Sequence, residues 1–510
     1  MKLLSNILRA VTPSGIHGRT DIIVMSIEHN SRTCDKGSLF IAIKGTTNDG
    51  HQFIEDAIAH GATSIVCEVL PSKIHETVTY IMVEDSREAA ADISHEFYDH
   101  PTQKMQIIGV TGTNGKTSIT FILRQLLEQN GIQCGIIGTT GNYIGTRHIP
   151  TSYTTPEAPE LLKILSEMVS EGITYVLMEV SSHALAMKRV RGVIFRAALF
   201  TNLTHDHLDF HGSMEEYAKA KKILFDMLQP NAVAIVNADS PYSHSMVRDS
   251  QAKTLFVGTE NTCDTIIHSI QTELTGSHFS LLFGGKNLVH GDIPISIPLI
   301  GFFNIENAAL CITLAVELGI DINTVQRFST AIQGAPGRMD TLRLSSGAVA
   351  IIDYAHSPDA LEKVLHTCRH LLQHYTQDKG KLITVFGCGG NRDSAKRPLM
   401  GQCASRLSDS IIITNDNPRT ENPEAIAHEI LNGFSRILPV EIILDRKEAI
   451  HTALSAAQYN DIVLIAGKGH ENIQIIGTTH IHSNDRDIVM SFIHSRNPSS
   501  HQLSHAEANN

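Results

Sequence analysis

The sequence predicts an α/β protein of three domains, with a phosphate-binding loop on a central, mostly parallel sheet and a Rossmann-like domain at the carboxyl end. Short apolar runs recur along the chain, and each is followed by a loop and a helical pattern, as in parallel sheets covered by helices. The segment GTNGKT at 112–117 follows one of these runs and has the composition of a loop that cradles phosphate. At ~150 residues for each domain, a chain of 510 residues is long enough for about three domains.

The composition is that of an ordinary globular protein and excludes several functional classes. Hydrophobic residues make up 42% of the chain and charged residues 18%, which allows sizeable cores. The net charge of −12 argues against a nucleic-acid partner. The eight cysteines include no CxxC pair, which predicts reduced thiols in a cytoplasm. Because no window approaches about 18 consecutive apolar residues, no membrane partner is expected.

The first domain is predicted over residues 1–104, where short strands and helices alternate. Ser38–Lys44 and Ser64–Glu68 have the apolar character of strands, and Phe53–Ala59 has helical periodicity. A polar stretch that contains proline, near residue 100, is the predicted linker to the next domain.

The second domain is predicted over residues 105–335 and begins with an apolar strand that leads into GTNGKT. Backbone N–H groups of such a loop point at phosphate oxygens, and the following helix N-terminus adds about half a positive charge. Lys116 can then reach the β- and γ-phosphates, and the Thr117 hydroxyl can ligate Mg²⁺. A strict Walker motif has glycine where this chain has Val110, so the alternative interpretation is a structural glycine turn.

The third domain is predicted over residues 336–493, after a hinge-like Pro-Gly break, and residues 494–510 are predicted to be a disordered tail. Four apolar runs that alternate with helical patterns indicate a doubly wound parallel sheet in this domain. These runs cover 349–353, 382–386, 410–414 and 461–466.

Glu179 is the best candidate ligand for a metal ion that would accompany the phosphates. It ends the apolar strand at 175–180, so its carboxylate would emerge beside the phosphate loop of a parallel sheet. The alternative interpretation is an ordinary surface glutamate at the end of a strand.

The segment THDHLDFH at 204–211 is dense in groups that bind metals. It approaches the HxHxDH pattern of zinc hydrolases, but Phe210 adds one residue before the last histidine, and that interpretation leaves the phosphate loop unexplained. The alternative is that His207 serves the Mg²⁺ of a nucleotide site. The amphipathic helix predicted at 217–222 has a basic face that is typical of solvated lysines, and composition singles out none of them.

Polar loops follow several strands of the third domain, at 353–359, 387–393, 415–421 and 467–471. The carboxyl ends of parallel strands meet at one edge of a sheet, so we expect these loops to converge. Arg392 and Arg419 offer planar guanidinium groups for bidentate carboxylate binding, and Glu471 suits an ammonium group. Each loop alone could be an ordinary turn, but together they predict a receptor for an amino acid with an additional carboxylate.

In this order, the motifs resemble those of the Mur ligases of peptidoglycan synthesis, and among them the ligases that add 2,6-diaminopimelate. The resemblance extends to about residue 493, and DNPR is typical of the members that use diaminopimelate rather than lysine. It rests on Ser31-Arg32 with Asp49-Gly50, GTNGKT at 112–117, TTP at 154–156, EVSSHAL at 179–185, TNLTHDHLDFHG at 201–212, YAKAK at 217–221, FNIENA at 303–308, GRMD at 337–340, DYAHSPDAL at 353–361, GCGGNRD at 387–393, DNPR at 416–419 and GKGHE at 467–471.

The resemblance implies a UDP-substrate-binding first domain, a central P-loop ATPase and a C-terminal Rossmann-like domain that binds an amino acid. The implied enzyme is a cytoplasmic, monomeric, ADP-forming ligase. It would join meso-diaminopimelate to the D-Glu side-chain carboxylate of UDP-N-acetylmuramoyl-L-Ala-D-Glu through an acyl phosphate, with ATP and a pair of Mg²⁺ ions. The alternatives are an L-lysine-adding Mur ligase and a ligase similar to folylpolyglutamate synthase.

The resemblance also implies roles for single residues. Lys221 aligns with the family's carbamylated lysine, a modification that replaces a cation with an anionic group able to ligate Mg²⁺. The implied catalytic residues are Lys116, Glu179, His207 and Lys221. The implied metal ligands are Thr117, Glu179, His207 and carbamylated Lys221.

Substrate contacts are implied in three groups. ATP would contact Gly112, Thr113, Asn114, Gly115, Lys116, Thr117, Ser118, Asn307, Arg338, Asp353 and His356. Ser31 would contact the uridine diphosphate of the UDP-linked substrate, and Thr154, Thr155, Ser181 and Arg189 would hold its muramoyl-dipeptide. Diaminopimelate would contact Arg392, Asp416, Asn417, Pro418, Arg419, Gly467 and Glu471. The chain departs from some members at Met187, where they have glutamine, and at Tyr153, where they have asparagine.

Overall fold

The structure is a computed structural model that describes residues 1–45, 48–151, 153–284, 291–376 and 379–496. The chain divides into two compact units, each assembled from separate stretches of sequence. The first unit contains Met1–Gly112, Leu127–Leu203 and Ser213–Phe256. The second unit contains Thr113–Leu126, Thr204–Gly212 and the described residues from Val257 onward.

The amino-terminal part of the first unit is a mixed sheet with helices. Its elements are β1 (Lys2–Leu3), α1 (Leu4–Ile7), β2 (Gly15–His17), β3 (Ile23–Val24), β4 (Ser26–Glu28), β5 (Ser38–Ile41), α2 (Ile54–Ala59), β6 (Ser64–Cys67), β7 (Thr79–Met82) and α3 (Ser86–Phe97). The strand order is β2-β7-β6-β5-β4, with β2 antiparallel at the edge and the others parallel. The predicted strand, helix and strand around β5, α2 and β6 are confirmed. The helix starts one residue late because a 3₁₀ turn capped by Asp49 precedes it.

The middle of the chain forms the elements β8 (Gln106–Thr111), α4 (Lys116–Glu128), β9 (Cys134–Gly138), β10 (Gly141–Ile144), β11 (Arg147–Ile149), α5 (Ala158–Ser170), β12 (Tyr175–Glu179), α6 (Ser182–Ala186), β13 (Phe195–Phe200), α7 (Leu208–His211), α8 (Met214–Asp226), β14 (Val233–Asn237), α9 (Ser243–Val247) and β15 (Lys253–Gly258). Within the first unit the strand order is β11-β10-β9-β12-β8-β13-β14, and β9, β12, β8, β13 and β14 are parallel. Because β8 lies between two parallel neighbours and is buried from Ile107 to Thr111, its sequence is a continuous apolar run.

The remaining elements belong to the second unit. They are β16 (Thr265–Glu273), β17 (Gly276–Phe283), β18 (Asp292–Ile297), α10 (Phe302–Glu317), α11 (Ile322–Ser329), β19 (Asp340–Arg343), β20 (Val349–Asp353), α12 (Pro358–Thr376), β21 (Leu382–Phe386), α13 (Lys396–Leu407), β22 (Ser410–Ile413), α14 (Pro423–Leu431), β23 (Val440–Ile442), α15 (Arg446–Ala456), β24 (Ile462–Ala466), β25 (Ile473–Ile476), β26 (Thr479–His482) and α16 (Asp485–Arg496). Strands β16, β17 and β18 are an antiparallel meander.

The predicted doubly wound sheet is confirmed in the carboxyl-terminal part. Its order is β19-β20-β24-β21-β22-β23, and the strands from β20 to β23 in this order are parallel. Helices α12, α13 and α14 contribute to the core on one face of the sheet. Helices α15 and α16 contribute to the core on the other face. The loops that follow β20, β24, β21 and β22 therefore leave neighbouring strands at the same edge.

Helix α16 continues to Arg496, so residues 494–496 of the predicted tail are helical. The rest of that tail lies outside the described residues. Among the described residues, none of the helices has both the length and the apolar character that a membrane span requires.

A buried ion pair supports the doubly wound sheet and gives a stability prediction. Arg446 donates two hydrogen bonds to Asp485, at 2.8 and 2.7 Å, and both residues are at most 2% exposed. We expect Asp485→Ala to destabilise this part by about 3–5 kcal/mol, because it leaves a buried guanidinium unpaired. The melting temperature, followed by differential scanning fluorimetry, should fall by ~10 °C.

The matched control is Asp21→Ala, which breaks the Arg19–Asp21 pair, in which both side chains are more than half exposed. Since solvent screens exposed pairs, this variant should melt like the wild type. Equal melting temperatures for the two variants would contradict the stabilising role of the buried pair.

Candidate active site

The loop between β8 and α4 is held by its own polar groups and by Thr204. The Thr113 hydroxyl donates to the Thr204 carbonyl at 3.3 Å and accepts the Thr204 N–H at 3.0 Å. The Lys116 ammonium donates to the Thr113 carbonyl at 2.9 Å. Thr117 and Ser118 are buried in the first turn of α4, whose N-terminal N–H groups are suited to bind an anion.

Gly112 begins the loop, and there is no space for a side chain at this position. Its φ is +152°, and a Cβ there would lie 1.8 Å from the Thr201 hydroxyl oxygen. Only glycine therefore allows the end of β8 to approach β13 this closely.

Asp359, at the start of α12, holds the phosphate loop from the side of the doubly wound sheet. Its Oδ2 accepts hydrogen bonds from the Asn114 side-chain amide at 3.0 Å and from the Thr204 hydroxyl at 3.1 Å. Asp359 belongs to the segment DYAHSPDAL at 353–361, and no sequence pattern assigns it a role there. The spacing of 245 residues from Asn114 hides this contact in the sequence.

Lys221, on α8 of the first unit, is buried. It is 1% exposed, its ammonium donates to the Gly112 carbonyl at 2.9 Å, and it lies 4.5 Å from the centroid of the Tyr217 ring. The interpretation of this helix as a solvated basic face holds for Lys219, whose side chain is 70% exposed, and is wrong for Lys221. The helix turns Lys221 inward, toward the first residue of the phosphate loop.

Glu179 is also buried, at 1% exposure, so the alternative of a surface glutamate is wrong. Its two carboxylate oxygens accept hydrogen bonds from the backbone N–H and the hydroxyl of Thr139, both at 3.0 Å. Strand β12 pairs in parallel with β8, and Glu179 lies opposite Val110 in the register. The carboxylate is therefore fixed at the carboxyl end of β12, beside the end of β8, the strand that precedes the phosphate loop.

His207 lies before α7 in a left-handed conformation, with φ of +53°. Its side chain is about half exposed, and its Nε2 lies 3.5 Å from Asp206 Oδ2. No group of three or more His, Cys, Asp or Glu side chains that could hold a metal ion occurs among the described residues.

Asp206 lies near three basic side chains. Burial by itself raises the pKa of Asp206, but His207, His356 and Lys116 outweigh burial and hold that pKa below its usual value. Burial lowers the pKa of His356, and Lys396 lowers it further, which favours the neutral imidazole. Asp206 thus lies near Lys116 of the phosphate loop, although no sequence pattern connects the two residues.

The residues implied in dipeptide binding form a hydrogen-bonded group around Glu179 in the first unit. Thr155 donates its hydroxyl to the Glu179 carbonyl at 2.8 Å and accepts the Ser181 N–H at 3.1 Å. The Thr154 and Thr139 hydroxyls are 3.0 Å apart. Ser31, which the resemblance places at the uridine diphosphate, is buried at the start of a 3₁₀ turn that Asn30 caps.

Arg189 is the cation of this group. It contacts Tyr153 and Met187, the two residues that depart from the family pattern. Its guanidinium pairs with Glu157 at 2.7 Å and donates to the Thr155 carbonyl at 3.0 Å. It also lies 4.6 Å from the Tyr153 ring centroid and 3.6 Å from the Met187 sulfur. Glu157 was not singled out from the sequence.

The downstream residues implied in nucleotide binding lie around the end of β20. The Asp353 carboxylate accepts the N–H groups of Met339 and Ala355, both at 2.8 Å, and burial raises the pKa of Asp353. Arg338 stacks on Tyr354, with 4.6 Å between the guanidinium carbon and the ring centroid. The His356 ring is tilted against the same Tyr354 ring, with 4.6 Å between the two centroids. Asn307, the other residue implied at the nucleotide, is buried on α10.

The loops after β21, β22 and β24 converge as predicted. The Gly390 N–H donates to the Asn417 carbonyl at 2.9 Å, and Arg419 donates to the Gly390 carbonyl at 2.6 Å. A Cβ on Gly467 would lie 2.9 Å from Asp416 Oδ2. Burial lowers the pKa of Arg419, and the nearby charge of Arg392 lowers it further, so the two guanidinium groups share one region.

Glu471 and Lys468 complete this cluster. Glu471 Oε2 accepts hydrogen bonds from the Lys468 ammonium at 2.8 Å and from the Asn417 amide at 3.0 Å, and its Oε1 accepts from the Tyr354 hydroxyl at 3.4 Å. Lys468 is fully buried. Glu471 was predicted to bind an ammonium group of a ligand, and in the structure it also binds the ammonium group of Lys468 from the same GKGHE segment.

Three protein-family models match this chain. Residues 24–98 match the Mur ligase family catalytic domain, residues 110–315 the Mur ligase middle domain, and residues 337–469 the Mur ligase glutamate ligase domain. The chain belongs to the Mur ligase family.

Relatives of this Mur ligase match it over nearly its whole length. It is 42% identical to the UDP-N-acetylmuramoyl-L-alanyl-D-glutamate–2,6-diaminopimelate ligase of Caldanaerobacter subterraneus subsp. tengcongensis, over 94% of this chain and 96% of the relative. It is 40% identical to ligase 1 of the same name from Clostridium acetobutylicum, over 96% and 99%. A solved structure of a ligase of this name aligns with a TM-score of 0.67 at 33% identity and covers 96% of this chain and 99% of that one.

The close approach at Gly112 gives a prediction for nucleotide binding. We expect Gly112→Ala to weaken ATP binding at least about tenfold, because the collision with Thr201 must displace the loop from its phosphate-binding conformation. Isothermal titration calorimetry with ATP measures the change.

Gly131→Ala is the matched control. Gly131 has φ of +77° at the end of α4, and a Cβ there would meet no atom within 4 Å. This control adds backbone strain without a collision and should bind ATP as the wild type does. Unchanged ATP affinity in Gly112→Ala would show that the loop tolerates the displacement.

Proposed function

We propose that this Mur ligase joins meso-diaminopimelate to the D-Glu side-chain carboxylate of UDP-N-acetylmuramoyl-L-Ala-D-Glu and forms ADP and phosphate from ATP. The observation that carries the proposal is the full-length likeness, at 40–42% identity, to relatives named for this reaction. The converged loops of the second unit add a chemical argument. They hold the guanidinium groups of Arg392 and Arg419 and the carboxylate of Glu471, which suit a ligand with two carboxylates and an ammonium.

The reaction follows from the weakness of a carboxylate as an electrophile. ATP phosphorylates the D-Glu carboxylate, and the acyl phosphate then carries a leaving group. The free amine of diaminopimelate attacks the acyl carbon, and phosphate departs from the tetrahedral intermediate. In this proposal Lys116 stabilises charge on the transferring phosphoryl group, and Arg189 and its neighbours hold the dipeptide.

Mg²⁺ belongs to the proposal because the chemistry of the donor groups fits it. The Thr117 hydroxyl and the Glu179 carboxylate are hard oxygen donors, and His207 adds an imidazole. Lys221 fits only as a carbamate, because its ammonium would repel a cation. A carbamate keeps one Nζ–H, which could still donate to the Gly112 carbonyl. When bound, Mg²⁺ would neutralise charge on the phosphates.

The proposal also covers the domain boundaries, the oligomeric state and the location of the enzyme. We propose domain boundaries at 104 and 335, a monomeric enzyme and a location in the cytoplasm. The rival hypotheses are the use of L-lysine as substrate, a folylpolyglutamate synthase-like reaction, and a nucleotide-dependent switch. The match of residues 24–98 to a Mur ligase domain and the Arg419 loop favour the diaminopimelate ligase.

A phosphate-release assay separates these hypotheses. With ATP, Mg²⁺ and UDP-N-acetylmuramoyl-L-Ala-D-Glu present, we expect meso-diaminopimelate to stimulate phosphate release and L-lysine to stimulate it at least about tenfold less, because L-lysine has no distal carboxylate for an arginine to bind. Equal use of L-lysine would contradict the assigned substrate. ATP hydrolysis that ignores both amino acids would contradict the ligase.

Arg419→Lys tests the proposed carboxylate receptor. We expect the KM for meso-diaminopimelate to rise at least about tenfold while the KM for ATP changes less than about twofold, because lysine cannot form the bidentate contact. Steady-state kinetics with each substrate varied in turn gives both values. The control is Arg406→Lys, at an arginine whose side chain is 53% exposed and pairs with Glu362. Parallel increases in both KM values for Arg419→Lys would place its effect outside the amino-acid site.

A further inference from the structure

We propose that Lys468 is the positioning residue of the amino-acid site: it fixes the Glu471 carboxylate so that Oε1, and not Oε2, receives the ammonium group of the incoming amino acid. This inference rests on the proposed function, and it concerns a residue that itself touches no substrate. It assigns a role to a buried lysine that the proposed reaction does not otherwise use.

The geometry of Lys468 leaves its ammonium no capacity for a ligand. Its three hydrogen bonds run to Asn417 Oδ1 at 3.2 Å, to Glu471 Oε2 at 2.8 Å and to the Ile473 carbonyl at 2.7 Å. A lysine ammonium has three donor hydrogens, so all of them are used inside the protein. Carboxylate binding is therefore left to the arginines of the neighbouring loops.

The partners of Lys468 orient the Glu471 carboxylate. The Asn417 amide accepts from Lys468 and from the Ile475 N–H through Oδ1, and it donates to Glu471 Oε2 through Nδ2. Oε2 thus receives two donors from buried residues, whereas the described partner of Oε1 is the Tyr354 hydroxyl at 3.4 Å. The Glu471 side chain is 32% exposed, so a ligand can reach this carboxylate.

The backbone around Lys468 supports the same arrangement. Gly467 and Gly469 have φ values of +111° and +50°, and a Cβ on Gly469 would lie 2.7 Å from both the Gly337 carbonyl and the Tyr354 Cβ. These glycines let the loop turn tightly enough to direct the lysine into the protein. The Glu471 N–H then returns to the Lys468 carbonyl at 2.9 Å.

The charges around Glu471 make the role of Lys468 measurable. Burial by itself raises the pKa of Glu471, but Lys468 and Asn417 outweigh burial and hold that pKa below its usual value. The other charged or titratable groups near this carboxylate are His470, Tyr354, Asp416, Arg419 and Arg446. Burial lowers the pKa of His470 to about 4, so this imidazole is neutral from pH 6 to pH 8. Burial raises the pKa of Asp416 and Lys468 offsets part of that increase, so removal of Lys468 raises the pKa of both carboxyls.

The first experiment replaces Lys468 by methionine, which has a similar length and no charge. We expect the KM of Lys468→Met for meso-diaminopimelate to rise at least about tenfold, the range for loss of a hydrogen bond to a charged group. The KM for ATP should change less than about twofold. The KM for meso-diaminopimelate should also rise as the pH falls from 8 to 6, more steeply than in the wild type, because the Glu471 carboxyl then takes up a proton.

Lys447→Met is the matched control, because Lys447 is exposed on α15, a helix that packs against the same doubly wound sheet. This control should show the wild-type KM and pH profile. A purely structural Lys468 would lower the melting temperature and kcat without a change in the pH profile, and that result would overturn the proposal.

The second experiment leaves Lys468 in place and compares Glu471→Gln with Glu471→Ala. If Lys468 and Asn417 orient the side chain, the glutamine carbonyl takes the place of Oε2 and its NH₂ group takes the place of Oε1. An NH₂ group there repels the substrate ammonium, so we expect Glu471→Gln to have a KM for meso-diaminopimelate equal to or higher than that of Glu471→Ala. A clearly lower KM for Glu471→Gln means that the glutamine can offer its carbonyl to the ligand, and it overturns the proposal even where Lys468→Met does not fold.

The wild-type enzyme separates this proposal from the proposed function. Absence of phosphate release that depends on meso-diaminopimelate in the wild type contradicts the proposed function and the inference that rests on it. Normal wild-type turnover, combined with wild-type KM values in Lys468→Met, contradicts the role of Lys468 alone.

Discussion

Hydrogen bonding of buried charged side chains is the constraint on which the loops of each unit depend. Lys221, Glu179 and Lys468 are almost completely inaccessible to solvent, and the structure gives each of them hydrogen-bonding partners. An unpaired charge in such a position would destabilise the fold by several kcal/mol. The partners therefore determine where the loops lie, and the loops in turn determine which atoms face a substrate.

Close backbone approach is the second constraint in the second unit. A Cβ on Gly337 would lie 2.2 Å from the backbone nitrogen of His470, so the loop that precedes β19 packs directly on the loop that follows β24. Tyr354 lies beside both loops, with Arg338 stacked on its ring and its hydroxyl directed at Glu471. The groups expected at the nucleotide and the groups expected at the amino acid thus share one packed junction, in which a movement of one loop displaces the others.

Much of the fold follows from local sequence patterns. Strands β20 and β21 have the predicted bounds, and β24 starts one residue late, because strands buried on both faces produce continuous apolar runs that loops interrupt. The convergence of the loops after β21, β22 and β24 was also predictable, since it follows from the geometry of parallel sheets. The contact of Asp359 with Asn114 was not predictable, because the two residues are 245 positions apart and no local pattern connects them.

The sequence by itself determined the phosphate loop, the doubly wound sheet, the family resemblance and the residue types that the proposed chemistry needs. The tertiary structure alone decided which of these groups are buried and how they are paired. It turned Lys221 inward and left Lys219 in solvent. The two lysines are two positions apart and so lie on different sides of the helix, but this spacing does not say which side is buried. The tertiary structure also gave Glu471 a lysine partner from its own loop. Burial and pairing depend on contacts between distant segments, and composition and periodicity carry no information about such contacts.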